Sequence, residues 1–148
     1  MSQLSPNFTL AELTVSEYAS RKGIAEQFNP PADVISNLST LSNSVLERIR
    51  EIVGKPIVIN SGYRCEKVNK AIGGVATSQH VKGQAADIRV IGMTIEELFQ
   101  AIRNKIEYDQ IIQEFDAWVH ISYVKNGNRN MNLRATKQNG KTVYTQVP

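Results

Sequence analysis

Between Ala32 and Val53 apolar residues recur at Val34, Leu38, Leu41, Val45, Ile49 and Ile52, three or four positions apart. That spacing aligns them along one stripe and predicts a single helix that buries one face. Gly54 ends it, because glycine tolerates the left-handed backbone that closes a helix. A second stripe, Ile95, Leu98, Ile102 and Ile106, follows Thr94-Ile95-Glu96-Glu97. Threonine and glutamate three positions apart form a capping box, so a second amphipathic helix is predicted there, packed across a sheet. Thr9-Leu10-Ala11-Glu12 repeats the spacing and predicts a short helix. Another is predicted from Ser16 to a stop at Gly23, before the turn at Asn29-Pro30-Pro31, which makes residues 1–30 an N-terminal packing arm.

Strands are expected where short apolar or alternating runs are bounded by turn residues. Pro56 to Ile59 reads as one and runs into Asn60-Ser61-Gly62; Glu66 to Ile72 is a short helix closed by Gly73-Gly74. Ala85 to Ile91 reads as a strand in which Asp87 shares a face with Ala85 and Arg89, while Ile88 and Val90 point to the core. Asp109–Glu114 and Trp118–Tyr123 form a hairpin. Leu133–Thr136 and Thr142–Val147, separated by Asn139-Gly140, predict a weaker one in the C-terminal segment 124–148. The expected fold is a single α+β domain over 1–148, with helices packed on a small, mainly antiparallel sheet that carries the functional site.

Composition narrows the classes without choosing among them. A chain of 148 residues, 41% hydrophobic and 21% charged, can bury a core. The net charge of +3 is scattered rather than gathered into a stripe, so no nucleic-acid partner is expected. No run approaches the length of a membrane span, and residues 1–7 lack the basic and apolar regions of a secretory signal. Cys65, the one cysteine, excludes an internal disulfide and a thiolate metal site, and reads as a packed residue before it reads as a nucleophile.

The chemistry concentrates in Ser78-Gln79-His80-Val81-Lys82-Gly83-Gln84-Ala85-Ala86-Asp87 and in Ala117-Trp118-Val119-His120-Ile121-Ser122, which hold both histidines of the chain. Two imidazoles and a carboxylate are a zinc-type donor set that leaves a fourth position for water. His80, Asp87 and His120 would supply it, although the same residues would also serve as satisfied structural side chains. Period-two alternation puts Trp118 and Ser122 on the face of His120, Trp118 as a pocket wall or core residue and Ser122 as a support for a ligand.

Taken in order, Ser61-Gly62-Tyr63-Arg64, Val68-Asn69, Ile72-Gly73-Gly74, Ser78-Gln79-His80, Gly83, Ala85-Ala86-Asp87 and Trp118-Val119-His120 resemble the M15 family of zinc peptidases, over about Phe8 to Tyr123. The likeness is to its short phage and bacterial members: D-alanyl-D-alanine carboxypeptidases and the L-alanyl-D-glutamate endopeptidases of phage lysins. It implies Zn2+ held by His80, Asp87 and His120 and a peptidoglycan stem peptide as substrate; a monomer is expected, with the oligomeric state left open by the sequence. The resemblance also implies that Arg64 faces the substrate and that Ser78 contributes a substrate-binding hydroxyl. Which bond is cut depends on whether the pocket is closed beyond it. The expected setting is a phage or prophage lytic enzyme, made in the cytoplasm and reaching the wall by phage-mediated release or within a virion. A non-catalytic wall-binding or virion structural module that keeps the fold is the alternative.

Two acids compete as general base, because Ala117 stands where some relatives carry a glutamate three residues before the last histidine. If the hairpin loop is Phe115 to Ala117, Glu114 lies opposite Trp118 and shares the metal face. If it is only Asp116-Ala117, Glu114 turns away and Asp116 is nearer. The first register is favoured, with Glu114 as base and Asp116 as the alternative.

Overall fold

A computed structural model describes residues 2–148. The apolar stripe from Ala32 does form a continuous helical segment, but in three parts: α3 (Ala32–Leu41), a π turn (Ser42–Leu46) and α4 (Glu47–Val53). Val34, Leu38, Leu41, Val45 and Ile49 are buried as expected, whereas Ile52 is exposed. The N-terminal arm docks at this wide turn. Asn43 Nδ2 and Ser39 Oγ donate to the Leu4 carbonyl. Glu47 accepts from Ser5 Oγ and from the amide and side chain of Asn7. Periodicity does not see this, because the cause lies some forty residues away in sequence.

The arm itself contains a two-stranded ribbon, β1 (Gln3–Ser5) with β2 (Phe8–Thr9), then α1 (Leu10–Leu13), α2 (Glu17–Lys22) and a 3-10 turn (Ala25–Phe28). Both predicted starts are real: Thr9 and Glu12 make the reciprocal capping box, and Ser16 caps α2. Leu4, Phe8, Leu13 and Ala19 enter the main core.

Six further strands make the central sheet: β3 (Val58–Ser61), β4 (Ala85–Arg89), β5 (Gln110–Glu114), β6 (Trp118–Ser122), β7 (Met131–Gln138) and β8 (Lys141–Gln146). Their spatial order is β3-β4-β6-β5-β7-β8, antiparallel except for the pair β5–β7. The C-terminal hairpin therefore extends the central sheet through a parallel contact that local pattern does not encode. Two helices complete the chain, α5 (Glu66–Ala71) and α6 (Ile95–Ile102). The second opens on the predicted Thr94–Glu97 capping box and stops before Ile106, which packs on the core from the following loop.

Sheet pleating separates two environments. Ala86, Ile88, Ile111, Val119 and Ile121 face the helices and join the main core. Asp87, His120, Ile112 and Glu114 stand on the other face, where Ile112, Leu133 and Ala135 form a small separate apolar cluster. The α+β fold is as expected, and Asp87 faces opposite to Ile88 and Val90, as the alternation in Ala85–Ile91 predicts.

Two close approaches hold the chain near that face. Gly62 follows β3, and a Cβ there would lie 2.4 Å from the Leu13 carbonyl oxygen, so only glycine lets α1 sit this close. Gln27, wholly buried in the arm, clamps the next turn. Its Nε2 donates to the Thr14 and Tyr63 carbonyls, both at 2.8 Å, and its Oε1 accepts from the Cys65 amide at 2.9 Å. Both neighbours of Arg64 are thus tied to one side chain. Replacing Gln27 by alanine leaves three buried backbone groups unpaired, and the expected loss is about 3 kcal/mol of stability, read as a fall in the urea midpoint. A midpoint unchanged within error would show that solvent replaces the clamp.

Candidate metal centre

Backbone pairing brings the two ends of the proposed site together. Asp87 on β4 pairs with His120 on β6, and the side chains of directly opposed residues share a face. His80 arrives from the loop between α5 and β4, where Gly83, at φ +74, turns the chain back into β4. A Cβ on Gly83 would meet the Val34 carbonyl oxygen at 2.8 Å, which explains glycine at this corner. The Arg64 amide donates to the His80 carbonyl at 3.1 Å and fixes the loop against the segment after β3.

His80 Nδ1 lies 2.8 Å from the Gly62 carbonyl oxygen. A carbonyl only accepts, so Nδ1 carries the proton and donates. In the neutral ring Nε2 then presents a lone pair, and it points at Asp87 Oδ1, 3.3 Å away. The same oxygen is 3.1 Å from His120 Nδ1. A lone pair facing a carboxylate oxygen is stable only if positive charge sits between them, as a proton on Nε2 or a metal ion. Ligands on a tetrahedron of about 2.0–2.1 Å radius stand about 3.3–3.4 Å apart, which the 3.3 Å separation matches and the 3.1 Å one approaches. Donor atoms of His80, Asp87 and His120 all lie within 4.8 Å of one another, so these three residues are placed to hold one ion. The Gly62 contact is the outer hydrogen bond that sets the tautomer of a metal-binding histidine. Burial alone would raise the Asp87 carboxyl pKa; the two imidazoles outweigh it and hold the group well below the usual range.

Around this centre lies a cleft of about 970 Å³ lined by Arg64, Ser78, Glu114 and Trp118 among others. Arg64 Nη2 donates to Ser78 Oγ at 3.2 Å, while its Nε is buried without a partner among the described residues. Burial lowers the guanidinium pKa and the charges of Asp87 and Glu114 oppose that. Ser78 Oγ also accepts from the His80 amide at 3.2 Å, so it caps the loop and contacts the arginine at once.

The β5–β6 register places the two acids differently. Glu114 pairs with Trp118 and Ile112 with His120, as the loop Phe115 to Ala117 requires. Trp118 Nε1 donates to Glu114 Oε2 at 2.8 Å, leaving Oε1 free. Burial is the largest influence on Glu114 and raises its pKa; His120, the Trp118 hydrogen bond and His80 oppose it, and Asp87 reinforces it. Asp116 is corrected by this geometry. Its carboxylate accepts from Gln113 Nε2, and its amide donates to Gln113 Oε1. Gln113 pairs with Val119 and bonds Glu96 of α6, so Asp116 is held toward the helix-covered side and does not line the cleft.

Other readings shift as well. Ser122 Oγ accepts from the Gln110 amide and does not touch His120, so it supports the strand and not a ligand. Cys65 is buried in the main core, as are Tyr63 and part of Tyr123. Gln79, to which sequence assigned nothing, donates to Asp109 Oδ2 at 3.1 Å, and Asp109 accepts from the Arg129 guanidinium at 2.9 and 2.7 Å and from its amide at 3.1 Å. That trio ties the His80 loop to the start of β5 and to the segment before β7. Its members come from three separate stretches, and no local spacing signals it.

Residues 6–122 match the model of the family described as Peptidase M15. The chain belongs to that family. A relative, the "Zinc D-Ala-D-Ala carboxypeptidase" of Streptomyces albus G, is 38% identical over 60 residues, which are 40% of this chain and 24% of the relative. The chain thus spans under a quarter of that relative's length. Zinc is the metal that the family, the relative and the two-imidazole, one-carboxylate set all indicate. No helix among the described residues of this M15 protein is long and apolar enough to cross a membrane.

Zinc titration followed by metal analysis is expected to show one tightly held ion. Alanine at His80, Asp87 or His120 should each weaken it by more than about 100-fold, beyond the cost of losing an outer partner. Retention of wild-type affinity by any one of the three would remove that residue from the ligand set.

Proposed function

We propose that this M15 protein is a zinc-dependent peptidase of peptidoglycan stem peptides, and that it works as a monomeric lytic enzyme of phage or prophage origin. The observation carrying this reading is the convergence of His80, Asp87 and His120 on one point, with Glu114 and Arg64 in the same cleft. The bond cut is D-Ala-D-Ala or L-Ala-D-Glu. The relative's name favours the first, whereas the volume of the cleft favours a substrate that continues past the scissile bond.

Zinc, when bound, lowers the pKa of a coordinated water and polarises the scissile carbonyl. Glu114 takes a proton from the attacking water through its free Oε1 and delivers it to the leaving amine. Trp118 holds the other oxygen, so the carboxylate cannot rotate away. Arg64, braced by Ser78 and by the Gln27 clamp on its neighbours, presents forked donors to a substrate carboxylate or to the developing oxyanion. Among the residues lining the cleft, Arg64, Lys82 and Arg129 balance Asp87, Asp109 and Glu114, so a divalent ion would leave it positive and suit it to an anionic peptide.

Mass spectrometry of peptidoglycan digested with the zinc-loaded protein tests the reading. Free D-alanine would identify the carboxypeptidase, and new D-glutamyl amino groups the endopeptidase. Binding to the wall with neither product would favour the non-catalytic module.

Two variants test the division of labour. Arg64→Ala should keep zinc and lose turnover by about 10²-fold or more, the scale of a missing transition-state donor; loss of zinc instead would make Arg64 structural. Glu114→Gln should keep zinc and lose about 10²-fold or more in kcat. It also carries a pH signature in the metal-free protein. Because burial raises the Glu114 pKa in the folded state, its protonated form suits folding, and that contribution is lost as pH rises through the folded value. Glu114→Gln should therefore gain thermal stability over the wild type at pH 7 and show no gain at pH 4. An equal difference at both pH values would place the carboxyl in solvent.

A further inference from the structure

The matched family region ends at residue 122, but the cleft does not. Strand pairing continues the metal face outward in two rows. One runs from Asp87 and His120 through Ile112 to Leu133 on β7. The other runs from Trp118 and Glu114 through Ala135 to Tyr144 on β8. Ile112, Leu133 and Ala135 make an apolar floor, buried although no helix covers it, and Met131 packs on its edge. Tyr144 is 56% exposed and lines the same cleft from the outermost strand. The Glu114 charge acts on its hydroxyl, adding to the rise that burial causes. A carboxyl-terminal alanine pair would fill a small part of about 970 Å³, so the floor beyond Ile112 is surplus to a minimal substrate.

We propose that the β7–β8 hairpin is a substrate-length subsite, in which Leu133 and Met131 form the floor and Tyr144 the wall for an uncharged residue of the peptide remote from the scissile bond. The occupant follows from continuity with the centre. An extended peptide laid across the sheet from Arg64 reaches this floor without leaving the cleft. Arg129, which lines the cleft, is neutralised by Asp109, and the floor residues themselves are apolar, so the floor suits an uncharged side chain. Apolar contact far from the reacting bond supplies binding energy that positions the substrate, and truncated substrates lose it. This inference rests on the peptidase reading above.

The test uses the bond that the zinc-loaded protein cuts in peptidoglycan. Two blocked peptides are compared, one with a single residue on each side of that bond and one extended by three on each side. The wild type should favour the longer by about tenfold in kcat/KM. Tyr144→Ala should cut that ratio about fivefold, through KM, and Tyr144→Phe should restore it, because the ring makes the wall. Thr145→Ala, on the opposite face of β8 beside Arg134, should leave the ratio as it is. A wild type indifferent to length, or a Tyr144→Ala ratio equal to the wild type's, would overturn the subsite while leaving the peptidase reading intact. If the wild type cuts no bond in peptidoglycan, that reading fails and the subsite falls with it.

Discussion

One carboxylate oxygen, Asp87 Oδ1, faces two imidazole nitrogens at 3.3 and 3.1 Å on a sheet face that no helix covers. A nearly buried carboxylate is costly unless positive charge compensates it. The surrounding structure supplies the means. β4 and β6 must pair so that Asp87 opposes His120, the loop after α5 must return His80 to the same point, and the Gly62 carbonyl must accept the hydrogen bond from His80 Nδ1. Each condition comes from a different part of the chain, so the site exists only when the whole sheet is in register.

That register also separates the acids. A residue shift of one in the β5–β6 hairpin would exchange the faces of Glu114 and Gln113. Phe115 and Asp116 both take left-handed backbone, unusual for such residues, and this loop leaves three residues between the paired ends. Phe115 stacks edge-on against Trp118, and Gln113 binds Asp116 from the other face. The loop is thereby held on both sides, and Glu114 stays with the histidines.

The N-terminal arm contributes to the site from a distance. Gln27 holds the backbone on either side of Arg64, and Leu13 packs where only glycine can stand at position 62. Arg64 is therefore placed by buried hydrogen bonds made before the cleft is reached, and its guanidinium, braced at Nη2 by Ser78, keeps further donors for a ligand. Rigid support of this kind is what a donor aimed at developing charge needs.

Sequence by itself determined the elements whose causes are local. Both capping boxes, the glycine stops, the strand alternation around Asp87 and the ordered motifs of the peptidase family are contained within a few residues each, and all can be read in line. The candidate ligands were legible too, since the two histidines leave few choices. What only the tertiary structure decided depends on contacts far apart in the chain. The π turn in the long helix answers to the Leu4 and Glu47 contacts, the parallel β5–β7 pairing carries the C-terminal hairpin onto the metal face, and Gln27 and the Gln79–Asp109–Arg129 trio join distant segments. Local spacing carries no record of such pairings, because a strand edge or a buried amide can be satisfied by many partners, and only the packed chain selects one.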